Sequence, residues 1–551
     1  MLIAAAPDPA GGARLRQLRG DITETHDFAG AVRAAGGARW LWPSTADCYP
    51  RLVRAGVRVA RCHDVELTEA LLLGYGGRWG EPRGLPAAWA RLVGAPVPPD
   101  PPPRPAVAPG DGQGTLFDPA PAPADAGPDE LIEVYGDQQT RIDATADPIR
   151  FRLLVAAESA GALLAVEMGV DGLPWRADVH DELLRDLLGE PSPVGGLPRK
   201  LAELAGRIAE AFGGYRIHPE SPAEVLRAFA REGIILSSTR AWVLRGVDHP
   251  AVPLLLEYKE LYRIWTAHGW AWRQQWVHNG RFHAEYVPAG VVSGRWATRG
   301  GGALQIPKVI RRAVHADPGW TFVVADAGQL EPRILAAVSG DPRMSRAAGA
   351  GDMYAALAAE SFGGDRATAK VALLGAMYGQ VGGQAAPALA TLRRSYPVAL
   401  SYVEEAARVG ETGGLVRSWL GRTCPPPSAG FGFGDDGSGT EGGAGAGGGA
   451  GAAARARARG RFTRNFVIQA TAAEWALVLL ATLRADLAGT GARLVFFQHD
   501  EVVVHAPVDQ AAEVAAAVEA AGERTRRLLF GDTSVRFPLG VSVVDCYADA
   551  K

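Results

Sequence analysis

Lysine is nearly absent from this chain, although basic residues as a class are not. Of the 57 lysines and arginines in 551 residues, only five are lysines. The formal net charge is −3, so no overall basic excess points to a nucleic-acid partner. This argues only mildly against such a partner, because a basic channel can lie on a protein that is neutral overall.

Features of secreted and membrane proteins are also missing. The four cysteines show no CxxC spacing, and we interpret them as the reduced thiols of a cytosolic protein. The N-terminal stretch "MLIAAAPDPAGG" lacks a basic segment and reaches proline too early for a secretory leader. The most apolar long stretch, Phe466 to Leu483, contains Gln469 and Glu474, so it predicts a buried helix and no membrane span. We expect a soluble protein of the cytoplasm.

Two low-complexity stretches divide the chain. Residues 93–129 are rich in proline and alanine and predict a semi-extended linker. Residues 428–454 are rich in glycine and predict a flexible insertion. We expect a small α/β unit before the linker and amphipathic helices after it, such as "LLLEYKELYRIWTA" at 254–267.

Acidic residues follow two buried strands that lie far apart in the sequence. The stretch "LVFFQHDEVVVHAP" (494–507) has the pattern of a buried hairpin whose tip is His499, Asp500 and Glu501. The stretch "TFVVA" (321–325) predicts a buried strand that ends at Asp326, followed by a helix from about Glu331. Either acid alone is most often a turn aspartate. Two such acids raise the hypothesis that they converge on one site.

Two further segments carry polar side chains at helical spacing. In "DRATAKVALLGAMYGQ" (365–380), Arg366 and Lys370 share one helical face, with Tyr378 further round. Neither cation has an acid four residues away, which suits a polyphosphate better than an ordinary solvated face. In "RFTRNFVIQATAAEWA", Arg461, Asn465 and Gln469 recur every four residues. This stripe is either a surface face or a set of contacts to base edges and sugars.

Six motifs in order carry a resemblance to a known family. "SGRWAT", "DAGQLEPRILAAVS", "DMYAALA", "RATAKVALLGAMYG", "RNFVIQATAAE" and "QHDEVVVH" resemble the consecutive signatures of family A DNA polymerases, the bacterial DNA polymerase I group, from about residue 145 to the end. The resemblance implies an α+β multidomain protein with the right-hand polymerase fold (palm, fingers, thumb), preceded by a small α/β exonuclease-like domain. The implied boundaries are 1–92 for the exonuclease-like domain, 93–129 for the linker, 130–290 for a helical connector and thumb, 291–340 for palm, 341–470 for fingers with the 428–454 insertion, and 471–551 for palm.

The resemblance also assigns roles around the two acids. It makes Asp326 and Asp500 the carboxylates that hold two Mg²⁺ ions, with Mn²⁺ expected to substitute. It makes Glu501 a supporting carboxylate and His499 a contact to the primer terminus. The partners it implies are primer–template DNA and deoxynucleoside triphosphates.

Further roles concern the substrates. Arg366 and Lys370 match the contacts to the triphosphate, Tyr378 the ring near the templating base, and Glu331 the residue that blocks a ribose 2′-hydroxyl. The residues expected to contact the minor groove of the primer–template duplex are Arg295, Arg461, Asn465 and Gln469. Universal acceptors in that groove permit readout of base-pair geometry without readout of sequence.

The sequence departs from the family at several positions. Leu374 stands where the family has an aromatic side chain in the nucleotide site, and Ala327 and Gly328 replace a larger pair after Asp326. The Gly-rich insertion at 428–454 is an addition to the family pattern.

The N-terminal unit departs more strongly. A proofreading nuclease needs four acidic metal ligands. The only D-x-E sequence there is Asp64-Val65-Glu66, and Tyr135 is followed four residues on by Gln139 instead of aspartate. We therefore expect a nuclease relic that serves structurally, and no 5′-nuclease domain.

One peptide in the linker is unlike its surroundings. Gln113, Leu116 and Phe117 in "QGTLFD" resemble the pentapeptide by which bacterial polymerases hold the sliding clamp. The alternative is that Leu116 and Phe117 pack back onto the exonuclease-like domain.

The function expected from these motifs is template-directed DNA synthesis in repair or gap filling, without proofreading, by a monomer associated with the bacterial nucleoid. A non-catalytic scaffold that binds primer–template DNA is the alternative. A proofreading nuclease is a third hypothesis, which the missing acids oppose.

Overall fold

A computed structural model describes residues 1–8, 10–102, 127–192, 195–299, 305–379, 386–426 and 449–550. The peptide predicted to bind a clamp (Gln113, Leu116 and Phe117) lies outside the described residues, as do positions 428–448 of the predicted insertion.

The N-terminal unit is a five-stranded mixed sheet with helices packed on it. The strands are β1 (Leu2–Pro7), β2 (Ala13–Gln17), β3 (Ile22–Thr25), β4 (Arg39–Trp42) and β5 (Arg61–Asp64), and the helices are α1 (Phe28–Ala34), α2 (Thr45–Arg54), α3 (Val65–Tyr75) and α4 (Leu85–Val93). The strand order is β3-β2-β1-β4-β5. Strands β1, β4 and β5 run parallel, as expected where helices connect successive strands. The core includes Trp40, Trp42 and Tyr49.

Two helices join this unit to the rest of the chain. Helix α5 (Pro128–Asp143) packs on the first sheet, and its Leu131 and Val134 share a core cluster with Leu41 and Val65. Helix α6 (Pro148–Asp171) contacts α2 and β5 on one side and the C-terminal half of the chain on the other. The N-terminal unit is therefore packed against the body of the protein.

A helical region follows. It contains α7 (Ala177–Leu188), α8 (Arg199–Ala211), α9 (Pro222–Arg231), α10 (Ala241–Leu244), α11 (Ala251–His268) and α12 (Trp270–Trp276). Short strands flank these helices: β6 (Leu173–Pro174), β7 (Val277–His278), β8 (Arg281–Phe282), β9 (Glu285–Val287) and β10 (Ala297–Arg299). Most of this region lies within 130–290, the range predicted as connector and thumb, and that assignment stays a prediction.

The central sheet of the body is four-stranded and antiparallel. Its strands are β11 (Trp320–Ala327), β12 (Arg493–Gln498), β13 (Glu501–Pro507) and β14 (Leu539–Val544), in the order β12-β13-β11-β14. Residues 321–325 of β11 are all buried, because two strands flank it and α20 (Ala511–Phe530) packs across it. The sheet therefore brings residues near 326 and near 500 together.

The remaining helices of the described chain pack chiefly on one another. They are α13 (Leu330–Ser339), α14 (Pro342–Ala348), α15 (Met353–Ser361), α16 (Arg366–Tyr378), α17 (Ala386–Ser395), α18 (Pro397–Glu411) and α19 (Gly449–Asp486). Helix α19 begins inside the segment predicted as a flexible insertion (428–454) and continues without a break past residue 470, the predicted end of the fingers. At about 1.5 Å per residue, its 38 residues make it long enough to contact α6, α13, α16, α18 and α20.

Helices α6 and α19 are both long and apolar enough to cross a membrane, judged by length and composition alone. In the structure, however, 67% and 78% of their most apolar windows are buried inside the protein. The prediction of a buried helix at 466–483 is confirmed, because this segment lies within α19 and packs in the core.

Candidate active site

The two strand-end aspartates lie next to each other in the central sheet. Asp326 is opposite Glu501 in the pairing of β11 with β13. The backbone N–H of Ala327 donates to the carbonyl oxygen of Asp500 at 3.1 Å. These contacts confirm the hypothesis that the acids following two distant buried strands converge.

The turn that carries Asp500 is built without glycine. His499 takes the left-handed conformation with φ +55°, a region that histidine enters more readily than most residues. His499 is exposed at this turn, yet partial desolvation of its imidazole, together with the positive charge of Arg295, lowers the pKa of that group. His499 and Arg295 also line the same small cavity between α19 and the hairpin.

Glu331 is held from two directions. The Tyr378 hydroxyl donates to one of its carboxylate oxygens at 2.6 Å, and an Arg295 N–H donates to the other at 2.6 Å. Burial and the charge of Glu331 raise the pKa of the Tyr378 phenol, so the phenol stays protonated and acts as a donor. Because Glu331 lies five residues after Asp326, these contacts fix the C-terminal end of α16 beside the end of β11.

Helix α16 follows its predicted range closely, from Asp365 as N-cap to Gly379, which ends the helix with φ +72°. A positive φ at the residue after a helix is the usual reason for glycine there. Arg366 has no acid four residues away on α16, but it is paired with an acid from another helix. Its Nε lies 2.7 Å from a carboxylate oxygen of Asp352, the N-cap of α15. The rule of four-residue spacing covers partners on the same helix only, whereas Asp352 comes from another helix. Lys370 is exposed one turn further along.

The polar stripe of α19 is the more exposed face of the mostly buried stretch that starts at Arg459. Arg461 is exposed, while Asn465 and Gln469 are half-buried. The amide oxygens of Asn465 and Gln498 are buried and have no hydrogen-bond partner among the described residues. Arg464, in contrast, turns inward and donates to the carbonyl oxygen of Ala376 at 3.0 Å, which ties α19 to α16.

Arg295 stands on a turn that only glycine fits. Gly294 has φ +85°, and a Cβ there would come within 2.4 Å of Nε of the buried Arg422. Arg422 is itself paired with Glu158 of α6. Arg295 is thus placed by a tightly packed turn.

Comparisons with known proteins give the family to which the chain belongs. Residues 197–544 match the family model described as DNA polymerase family A. The chain belongs to DNA polymerase family A. It is 26% identical over 427 residues to DNA polymerase I of Deinococcus radiodurans, covering 69% of this chain and 41% of that protein. It is 28% identical over 304 residues to the thermostable DNA polymerase I of Thermus filiformis, covering 50% of this chain and 34% of that protein.

A solved structure supports the fold over the whole chain. The POL domain of Pol1 from M. smegmatis, in a complex with DNA primer-template and dNTP, matches with a TM-score of 0.70 and 17% identity, covering 100% of this chain and 95% of that chain. The predicted right-hand polymerase fold with an N-terminal α/β region is confirmed. This family A chain spans less than half the length of the curated relatives named above. The individual domain boundaries and residue roles stay predictions.

The residues present fit a pair of divalent ions of the Mg²⁺ type. Mg²⁺ takes oxygen ligands, commonly one or two protein carboxylates completed by water and substrate phosphates. Asp326 and Asp500 supply such carboxylates from adjacent strand ends. Within the described ranges, no group of three or more His, Cys, Asp or Glu side chains forms a complete metal-binding cluster. The two carboxylates therefore suit metal ions whose remaining ligands come from substrate and water. They suit a structural metal ion held entirely by protein side chains less well.

Two of the family departures can be placed. Leu374 is half-buried on α16 and packs against the core. Gly328 donates its N–H to the carbonyl oxygen of Pro538 at 3.1 Å, and a Cβ there would meet no atom closer than 3.8 Å. A larger residue would thus fit at 328, and nothing in the structure explains why glycine stands there.

The D-x-E acids of the N-terminal unit have structural partners. Asp64 caps α3, accepting hydrogen bonds from the backbone N–H groups of Thr45 at 2.7 Å and Leu67 at 2.8 Å. Burial raises its pKa to about 6. Glu66 is paired with Arg83 at 3.0 Å. Tyr135 packs edge-on against the buried His63, and Gln139 is half-buried beside it on α5.

Sequence reasoning missed Arg333, which anchors the segment after Asp326. Arg333 is 0% exposed. Its guanidinium donates to backbone carbonyl oxygens of Gly328 at 3.0 Å, Ala348 at 2.6 Å, Gly351 at 2.7 Å and Arg536 at 2.9 Å. The only local signal was a single arginine on an otherwise apolar helix, "PRILAAVS".

Proposed function

We propose that this chain is a template-directed DNA polymerase that adds deoxynucleotides to a primer 3′-hydroxyl. The observation that carries the proposal is the convergence of Asp326 and Asp500, with Glu331 beside them bound to Tyr378 of α16. Tyr378 lies at the C-terminal end of α16, and the N-terminal half of the same helix carries Arg366 and Lys370. Phosphoryl transfer depends mainly on positioning and charge neutralisation, which metal-binding carboxylates and triphosphate-binding cations would supply.

Asp326 and Asp500 would hold two Mg²⁺ ions, and Mn²⁺ is expected to substitute. When bound, such ions would neutralise charge on the transferring phosphate and lower the pKa of the attacking hydroxyl. Arg366 and Lys370 would bind the triphosphate. For Arg366 this means exchanging Asp352 for a phosphate, which costs little because both side chains are about half-exposed and such surface pairs are weak.

The substrate contacts extend along α19 and the hairpin. Tyr378 would lie against the nascent base pair, and Glu331 would exclude a ribose 2′-hydroxyl. Arg295, Arg461, Asn465 and Gln469 would contact the minor groove of the primer–template duplex, and His499 the primer terminus. The buried amide oxygen of Asn465, which has no hydrogen-bond partner in the described part of the chain, supports a hydrogen-bonding role for this stripe once DNA is bound.

We further propose that the enzyme does not proofread. Asp64 is used to cap a helix and Glu66 is paired with arginine, which supports a structural role for this unit. Purified protein should not degrade a mismatched primer 3′ end in Mg²⁺ or Mn²⁺. Degradation that is lost in the Asp64→Asn, Glu66→Gln double variant would refute this part of the proposal.

The remaining parts of the proposal concern cellular context. We propose a monomer of the bacterial cytoplasm, associated with the nucleoid, that fills gaps during DNA repair and binds the sliding clamp through Gln113, Leu116 and Phe117. Tethering to a ring raises the local concentration of enzyme at the primer, so clamp should lengthen products. The Leu116→Ala, Phe117→Ala variant should lose this gain and keep its unassisted extension.

The test of the main proposal is primer extension on gapped, intact and damaged templates with each templating base in turn. Metal-dependent incorporation of the complementary deoxynucleotide is expected. The alternative, a scaffold that binds primer–template DNA without chemistry, predicts binding with no extension on any template. Retention of Asp326, Asp500, Arg366, Lys370 and Tyr378 together favours the enzyme.

A further inference from the structure

The C-terminal turn of the chain lies against the strand that follows Asp500. Tyr547 is 0% exposed and packs against Phe496 of β12. Its hydroxyl donates to a carboxylate oxygen of Glu501. The guanidinium of Arg311 lies 4.2 Å from the centre of the Tyr547 ring and donates to Glu501 at 3.2 Å. Glu501 is therefore bound by two donors in a buried setting.

Both donors are fixed by the backbone around them. The N–H of Tyr547 donates to the carbonyl oxygen of Val314 at 3.0 Å, and the N–H of Ala316 donates to that of Asp545 at 2.9 Å. Nε of Arg311 donates to the carbonyl oxygen of Ile306 at 3.2 Å. The segment before β11 and the C-terminal segment thus form one rigid support beneath the hairpin.

We propose that Tyr547, together with Arg311, is a positioning residue. Through their hydrogen bonds to Glu501, the two side chains hold the Asp500 hairpin in register with Asp326. Glu501 follows Asp500 directly and is opposite Asp326 across the strand pair. Fixing Glu501 therefore fixes the backbone that aims the Asp500 carboxylate. Partners that orient metal-binding carboxylates in this way typically change metal affinity or activity when removed.

The chemistry of the contact supports an anchoring role for Glu501. Burial, and then the charge of Glu501, raise the pKa of the Tyr547 phenol far above its ordinary value, so the phenol remains a donor at neutral pH. A buried carboxylate is stable only where donors compensate its charge. This inference rests on the proposed polymerase function, since it concerns the geometry of the same two aspartates.

The chain contains a matched control for this contact. Tyr49 in α2 is also 0% exposed, and its hydroxyl donates to Glu167 of α6. Nε of Arg484 donates to the same carboxylate at 2.9 Å. Glu167 and Glu501 are both 5% exposed. The two clusters share one chemistry, but the Tyr49 cluster contains none of the predicted active-site residues.

The experiment compares Tyr547→Phe with Tyr49→Phe in the full chain. Equilibrium Mn²⁺ binding is measured from the electron paramagnetic resonance signal of free Mn²⁺, with a dideoxy-terminated primer–template and nucleotide present. Single-nucleotide kcat and KM and the melting temperature are measured in parallel. Tyr547→Phe should lose about tenfold in Mn²⁺ affinity or kcat, with KM and DNA affinity within about twofold of wild type. Tyr49→Phe should lower the melting temperature similarly and change neither Mn²⁺ affinity nor kcat.

Wild-type Mn²⁺ affinity and kcat in Tyr547→Phe would overturn the inference, as would equal losses in Tyr49→Phe. If Tyr547→Phe does not fold, Arg311→Lys carries the test with the same readouts, because it keeps a cation near Glu501 but removes the planar contact to the ring. If wild-type protein extends no primer, the proposed function fails, while Mn²⁺ binding still decides whether Tyr547 positions the site.

Discussion

The contact between Tyr378 and Glu331 gives the sharpest prediction about substrate choice. Tyr378→Phe removes one of the two hydrogen bonds to Glu331 and leaves the bond from Arg295 at 2.6 Å. A hydrogen bond to a charged group contributes about 1.5–3 kcal/mol. The Glu331 side chain is 15% exposed, so water can replace the phenol in part and the lower figure applies. A loss of about 1.5 kcal/mol corresponds to roughly a tenfold change.

The quantity to measure is the ratio of kcat/KM for a deoxynucleotide to that for the matching ribonucleotide. Tyr378→Phe should reduce this ratio about tenfold, because a less constrained Glu331 excludes the 2′-hydroxyl less well. Glu331→Ala should reduce the ratio further by opening space. The double variant should match Glu331→Ala alone, since Tyr378 acts on this ratio through Glu331. Additive losses, or an unchanged ratio in Tyr378→Phe, would show that Tyr378 does not act on this ratio through Glu331. Tyr396→Phe, which removes a bond to Glu360 of α15, is the control.

Three further predictions concern the support of the site. Arg333→Met should lower the free energy of unfolding by about 3 kcal/mol, because it leaves buried carbonyl oxygens unpaired. Calorimetry measures this loss, and the control Arg343→Met, at an exposed position, should change the free energy of unfolding little. Burial raises the pKa of Glu474 from 4.5 to about 7, so its contribution to stability is present below pH 4.5 and lost as pH rises through 7. The melting temperature of Glu474→Gln should therefore rise relative to that of wild type as the pH increases from 5 to 8. A difference in melting temperature that stays constant over this range would contradict the prediction. Leu374→Phe should lower the apparent KM for deoxynucleotides at least about fivefold, because a phenyl ring can stack on the base. The control Val371→Phe, at an exposed position, should leave this KM unchanged. An unchanged KM in Leu374→Phe would mean that the nucleotide pocket is built around leucine.

The parts of the fold that follow local rules could be predicted from sequence. Asp365 and Gly379 delimit α16 to within two residues of the predicted helix, because an N-cap aspartate and a glycine with positive φ act on their own neighbours. The strands that end at Ala327 and Gln498 were visible as apolar runs. Their adjacency was suggested by the shared pattern and by the family resemblance.

The contacts that hold the site together could not be predicted in this way. Arg333 bonds to Arg536, 203 positions away, and Arg311 bonds to Glu501, 190 positions away. Such contacts depend on how the segments pack, and no pattern in either segment specifies its partner. Arg366 illustrates the same limit, because its partner Asp352 lies outside the helix whose spacing was considered.

The most direct test of the account is single-turnover incorporation by Asp326→Asn and Asp500→Asn, with primer–template affinity measured on the same preparations. Each substitution keeps the size of the side chain and removes a carboxylate that the proposed metal ions require. Each variant should lose at least about a thousandfold in incorporation rate, roughly 4 kcal/mol, while its DNA affinity stays within about threefold of wild type. Incorporation by either variant within tenfold of wild type would contradict the assignment of these two aspartates as the catalytic pair.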